Sequence, residues 1–76
     1  MEKDFIYAEL CAVYGNLLTE KQRDITTLYY SNDLSLGEIS EIKNISRQSV
    51  LDTLEKVRAI LDKYEAELKV YNKKTQ

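Results

Sequence analysis

The chain has 76 residues, of which 43% are hydrophobic and 32% charged, and its formal net charge is −2. The length and composition predict one small globular domain. The negative net charge opposes indiscriminate binding to nucleic acid. The sequence holds no histidine, no glycine-rich phosphate loop and no Cys/His cluster, so we expect no catalytic site, no metal site and no cofactor. No apolar run approaches the ~20 residues of a membrane span, and the N-terminus lacks a signal-peptide pattern. A single cysteine fits a reducing cytosol. We therefore expect a cytoplasmic location without membrane contact.

Two helices are predicted in the first half of the chain. The first spans residues 4–14 and ends where Gly15 can take the left-handed conformation. Its apolar face is formed by Tyr7, Leu10, Cys11 and Tyr14. Thr19 and Gln22 form a capping box that starts the second helix. The inward residues of that helix are Ile25, Leu28 and Tyr29.

Residues 35–58 have the pattern of a helix-turn-helix. Ser35 and Glu38 form a second capping box, Asn44 lies where the chain must turn and tolerates the left-handed conformation, and Ser46 caps the next helix. The residues that would bury the two helices are Ile39, Ile42, Val50 and Leu54. An ordinary helical hairpin shares this spacing and is the alternative interpretation.

The last helix is predicted to be long, because no helix-breaking residue follows Arg47 and a helical extension over residues 59–72 continues the motif. A helix that reaches residue 71 would be roughly 35 Å long. Its apolar residues follow a heptad spacing. They form a candidate homodimer seam of Val57, Leu61, Tyr64, Leu68 and Tyr71. Three arrangements could cover this seam: the first helix folding back along it, a second copy of the chain, or a break near residues 62–63 that docks a fifth helix.

The candidate binding residues lie at the start of this last helix. Arg47 and Gln48 occupy its first turn, the part of the motif that meets base edges in a major groove. Arginine suits guanine and glutamine suits adenine through paired hydrogen bonds. The residues predicted at the margin of the contact are Lys43, Ser46, Ser49 and Lys56. The alternative is a solvated face of mixed charge, since Asp52 and Glu55 share it.

Three segments carry a resemblance to a known family. LTEKQRDITTLYY at residues 18–30, DLSLGEISE at 33–41 and ISRQSVL at 45–51 resemble the YlxM-like family of small bacterial proteins, which in turn are similar to region 4 of sigma factors. The resemblance covers roughly residues 7–71. It implies an all-α fold with a helix-turn-helix, a cytoplasmic location and a role in the signal recognition particle pathway. Lys43 and Asn44 depart from the family, which more usually has an apolar residue and glycine there, and the relatives continue beyond Gln76.

These observations predict an all-α domain over residues 1–76, with four or five helices, a sigma-region-4-like helix-turn-helix and a long C-terminal helix. The predicted function is that of a non-enzymatic regulatory or accessory protein of the signal recognition particle pathway that binds duplex DNA. The alternative is an interaction module that binds the protein or RNA of the particle without binding DNA.

Overall fold

The computed structural model describes residues 5–69, which form four α-helices and no strand. The helices are α1 (Phe5–Tyr14), α2 (Glu20–Thr26), α3 (Leu36–Lys43) and α4 (Arg47–Leu68). A 3₁₀ turn at Gly15–Leu17 follows α1, and a π turn at Thr27–Ser31 follows α2. The predicted all-α fold is confirmed. Within residues 5–69, no helix combines the length and the apolar character that crossing a membrane requires.

The predicted helix starts are present. The Thr19 hydroxyl accepts the Gln22 N–H at 3.1 Å, and the Gln22 side chain accepts the Thr19 N–H in return. Ser35 and Glu38 repeat the arrangement at α3, with distances of 3.1 and 2.9 Å. Each box satisfies backbone N–H groups that a helix start leaves without intrahelical partners. Local sequence therefore determines where α2 and α3 begin.

The buried side chains fall into two clusters, and α4 contributes to both. The first cluster joins α1 to the middle and the C-terminal part of α4, with Leu10, Tyr14, Leu18, Val57 and Leu61. The second joins α2, the π turn and α3 to the N-terminal half of α4, with Ile25, Tyr29, Ile39, Val50 and Leu54. The long helix thus ties the helix-turn-helix to the N-terminal helix.

The course of α4 corrects two predictions. The helix runs through residues 62–63 without a break, so the alternative of a break and a docked fifth helix is wrong, and the alternative in which the first helix folds back along α4 is confirmed. Val57 and Leu61 are only 1% and 0% exposed because α1 of the same chain covers them, and the dimer seam is therefore wrong at these two positions. Tyr64 is half-buried, with its ring centroid 5.8 Å from that of Tyr14. Leu68 is exposed, and Tyr71 lies outside the described residues.

Two local predictions are also wrong. Gly15 does not have a positive φ; instead α1 tightens into the 3₁₀ turn, and the Leu18 N–H donates to the Gly15 carbonyl at 3.0 Å. Ile42 is 59% exposed, because the short α3 turns Ile39 toward the core and leaves Ile42 at the edge of a shallow cavity beside Leu28. Ile39 is therefore the buried residue of α3, and Ile42 is not buried.

Candidate nucleic-acid interface

The turn between α3 and α4 is built from three residues with distinct roles. Asn44 takes the left-handed conformation, with φ 55° and ψ 46°, and ends α3 as predicted. Ile45 is half-buried against the helix-turn-helix core, and its N–H donates to the Ser40 carbonyl at 3.0 Å. The Ser46 hydroxyl then accepts the Ser49 N–H at 3.0 Å and starts α4. The first turn of α4 consequently lies at the surface directly after the reversal.

Arg47 and Gln48 are both exposed in this first turn. The Gln48 side-chain amide donates to an Asp52 carboxylate oxygen at 2.9 Å, one helical turn further along α4. The Arg47 guanidinium lies against α3 at Gly37, where a Cβ atom would stand 2.9 Å from Nη2 and 3.1 Å from Cζ. The two predicted contact residues are therefore accessible, and each rests against a neighbour in the same surface.

The other predicted residues are divided between structural contacts and the exposed face. Lys43 forms an ion pair with Asp24 of α2, with Nζ 3.1 Å from Oδ2. Ser46 and Ser49 form the cap of α4. Lys56 is exposed on α4, nine residues or about 13 Å beyond Arg47. The structure thus leaves Arg47, Gln48 and Lys56 as the predicted side chains that extend from the exposed part of α4.

A further cation of α4, Arg58, is directed toward the body of the protein. Its Nε donates to the Tyr30 hydroxyl at 3.2 Å, and its Cζ lies 5.7 Å from the centroid of the Tyr7 ring. The hydrogen bond to Tyr30 raises the pKa of Arg58, and burial raises the pKa of the Tyr30 hydroxyl. Arg58 therefore connects α4 to α1 and the π turn as a permanently charged residue.

The electrostatic character of the exposed face is close to neutral. Residues 47–58 hold three bases against Asp52 and Glu55, a net charge of +1, whereas residues 5–46 hold six acids against three bases, a net charge of −3. Nonspecific affinity for DNA comes from neutralising phosphates, and this surface offers few cations for that purpose. Any affinity for duplex DNA must rest on a small number of directed contacts.

The sequence interpretation missed one residue of this surface, Gly37. The Gly37 carbonyl accepts a hydrogen bond from the Ser40 hydroxyl at 2.7 Å. Gly37 is the residue on which Arg47 lies. The available signal was a glycine inside a capped, otherwise regular helix, where glycine is less favourable than alanine.

Comparison with known proteins places this geometry in a family. Residues 1–76 match the family model of UPF0122, described as "Putative helix-turn-helix protein, YlxM / p13 like". A UPF0122 protein of Caldanaerobacter subterraneus subsp. tengcongensis is 51% identical over 74 residues, which are 96% of this chain and 63% of the relative. One of Acetivibrio thermocellus is 48% identical over 73 residues, 96% of this chain and 62% of the relative.

A UPF0122 protein of Limosilactobacillus reuteri is 45% identical over 71 residues, 93% of this chain and 63% of the relative. The chain therefore spans less than two thirds of the length of these relatives. A match over the whole chain, with identities near one half, agrees with the capped helix pair and its three-residue turn. The chain belongs to the UPF0122 family of YlxM/p13-like helix-turn-helix proteins.

Proposed function

We propose that this protein is a non-enzymatic, cytoplasmic regulator that binds duplex DNA through the first turn of α4. The observation that carries the proposal is the Ser46-capped helix start, which follows a three-residue turn and leaves Arg47 and Gln48 exposed. In helix-turn-helix proteins, the N-terminal residues of the second helix enter the major groove and contact base edges. Membership of a helix-turn-helix family supports the same mode of docking.

The two side chains have different tasks in this proposal. The Arg47 guanidinium donates two hydrogen bonds to O6 and N7 of a guanine, and the Gln48 amide pairs with N6 and N7 of an adenine. Gln48 exchanges its hydrogen bond with Asp52 for the base when DNA binds. Lys56 contacts a phosphate, which fixes the position of the protein on the duplex without reading sequence.

The proposal is tested by selecting preferred duplexes from a random pool at low salt and titrating them by fluorescence anisotropy. We expect Arg47→Ala to weaken the selected duplex by about 1–3 kcal/mol, roughly 5- to 150-fold, and to remove the preference at one base pair. Lys56→Ala should weaken all sequences equally and reduce the salt slope by about 1.

The matched control is Lys63→Ala, which removes an exposed cation from the C-terminal half of the same helix and should leave binding unchanged. The proposal is wrong if the wild-type protein binds no duplex at low salt. It is also wrong if Arg47→Ala and Gln48→Ala combined bind as the wild type does.

A second candidate is an interaction module of the signal recognition particle pathway, which the resemblance to YlxM-like proteins implies. The net charge of −3 over residues 5–46 favours a basic protein partner over RNA or DNA phosphates. The same anisotropy titration, repeated with the particle's protein and with its RNA, distinguishes this candidate. Saturable binding of either component, together with no binding of duplex DNA, would replace the first proposal with the second.

A further inference from the structure

Gly37 occupies a position where glycine is unfavourable for the helix that contains it. It is the second residue of α3, and glycine disfavours a helix relative to alanine because the unfolded chain loses more conformational freedom. Its φ is not positive, so the backbone conformation does not require glycine. The reason for glycine must therefore be the space that its missing side chain leaves.

That space is occupied by the guanidinium of Arg47. A Cβ on Gly37 would lie 2.9 Å from Nη2, 3.1 Å from Cζ and 3.1 Å from Nε of Arg47. Three atoms of one planar group at nearly equal distances indicate that the glycine faces the plane of the guanidinium. The distance of 2.9 Å is shorter than real Cβ contacts and those of 3.1 Å are tighter than most, so a side chain at residue 37 would displace the group.

We propose that Gly37 is a positioning residue for Arg47. Without a side chain, Gly37 lets the guanidinium lie on α3, and this contact sets the direction from which Arg47 meets the partner. Arginine is flexible, and holding its planar group in one orientation reduces the entropy lost when it makes paired hydrogen bonds. The inference rests on the proposed binding of duplex DNA by the first turn of α4.

The variant Gly37→Ala tests this role. The displaced atoms belong to the end of a flexible side chain, so Arg47 can move aside, and we expect the thermal unfolding midpoint to stay the same or rise. We expect affinity for the selected duplex to fall about tenfold, with discrimination at the base pair that Arg47 reads falling in parallel. In an Arg47→Ala background, the same substitution should leave affinity unchanged.

Gly15→Ala is the matched control, because no atom beyond the neighbouring backbone and the adjacent residues lies within 4 Å of the position its Cβ would take. This variant should bind the duplex as the wild type does. The positioning role is wrong if Gly37→Ala binds with wild-type affinity, or if it weakens binding equally with and without Arg47. A loss of affinity that follows a lowered unfolding midpoint would also overturn it.

The two proposals fail in different ways. If the wild-type protein binds no duplex, the proposed function fails, and the position of Arg47 is then measured by NMR in the free protein. A nuclear Overhauser effect between the Arg47 Nε proton and the Gly37 Hα protons is expected. Its absence from the wild-type spectrum would overturn the positioning role by itself.

Discussion

The two ends of α4 both carry charges that oppose the helix dipole, and within residues 5–69 one of these charges is hydrogen-bonded to another helix. Arg47 lies in the first turn, which holds no acid, and the last turn holds Glu65 and Glu67 but no base. Negative charge is favourable at a helix N-terminus and positive charge at a C-terminus. The neighbouring α3 follows that rule, with Glu38 in its first turn and Lys43 in its last.

At the C-terminal end, one of the two acids makes a contact between helices. The Tyr14 hydroxyl donates to a Glu65 carboxylate oxygen at 2.6 Å and so fastens α1 to α4. At the N-terminal end, the Arg47 guanidinium lies on Gly37, which carries no charge. Glu65 therefore has a packing role inside the protein, whereas the DNA contact proposed above would account for Arg47.

The largest expected effect comes from disrupting the packing of α1 against the C-terminal part of α4. Leu61 is 0% exposed in the cluster between α1 and α4. We expect Leu61→Ala to lower the free energy of unfolding by about 2–5 kcal/mol, because it leaves a cavity as well as removing buried apolar surface. In a domain whose total stability is about 5–15 kcal/mol, this is a severe loss.

Urea unfolding followed by circular dichroism measures the change. Leu68→Ala is the control, since the same substitution one heptad further along α4 removes an exposed side chain and should change stability by less than about 0.5 kcal/mol. Equal losses for the two variants would show that α1 does not cover Leu61 in solution.

A smaller effect is expected from the hydrogen bond that Glu65 accepts. Tyr14→Phe keeps the buried ring but leaves the Glu65 carboxylate without the hydroxyl donor, so the free energy of unfolding should fall by about 1–2 kcal/mol. Tyr7→Phe is the control, because its hydroxyl donates to Asp62 at 3.1 Å in an exposed position. If Tyr7→Phe destabilises the protein more than Tyr14→Phe in the urea experiment, the assignment of Glu65 to structure is wrong.

The sequence predicted those parts of the fold that depend on local chemistry. The capping boxes at Thr19 and Ser35, the cap at Ser46 and the left-handed Asn44 each involve residues within a few positions of one another, and all are confirmed. The segment that packs against the apolar face of α4 is determined instead by contacts between residues that are far apart in the sequence. Heptad spacing indicates an apolar seam but does not distinguish α1 from a second chain, which is why the seam was wrong at Val57 and Leu61.

The site was less predictable than the fold because its geometry joins separate helices. The sequence indicated that Arg47 begins a helix, but its position on Gly37 depends on how α3 and α4 cross. Lys43 was predicted from its charge alone and proves to be paired with Asp24. Contacts between side chains on different helices depend on how the helices pack, and the residue types alone do not predict them.

The smallest expected effect has the opposite sign and sharpens the comparison at the N-terminal end. Arg47→Glu places an acid in the first turn of α4, so we expect the free energy of unfolding to rise by about 0.3–1 kcal/mol at low salt, while affinity for the selected duplex is lost. Lys56→Glu makes the same charge change in the middle of α4, where the dipole has little influence, and should not stabilise. Urea unfolding at low and high salt measures both variants.

If Arg47→Glu is less stable than the wild type, Arg47 has a structural role, and the inference that a partner outside the chain explains it fails. A gain in stability together with loss of binding would place Arg47 among residues that function keeps at the expense of the fold.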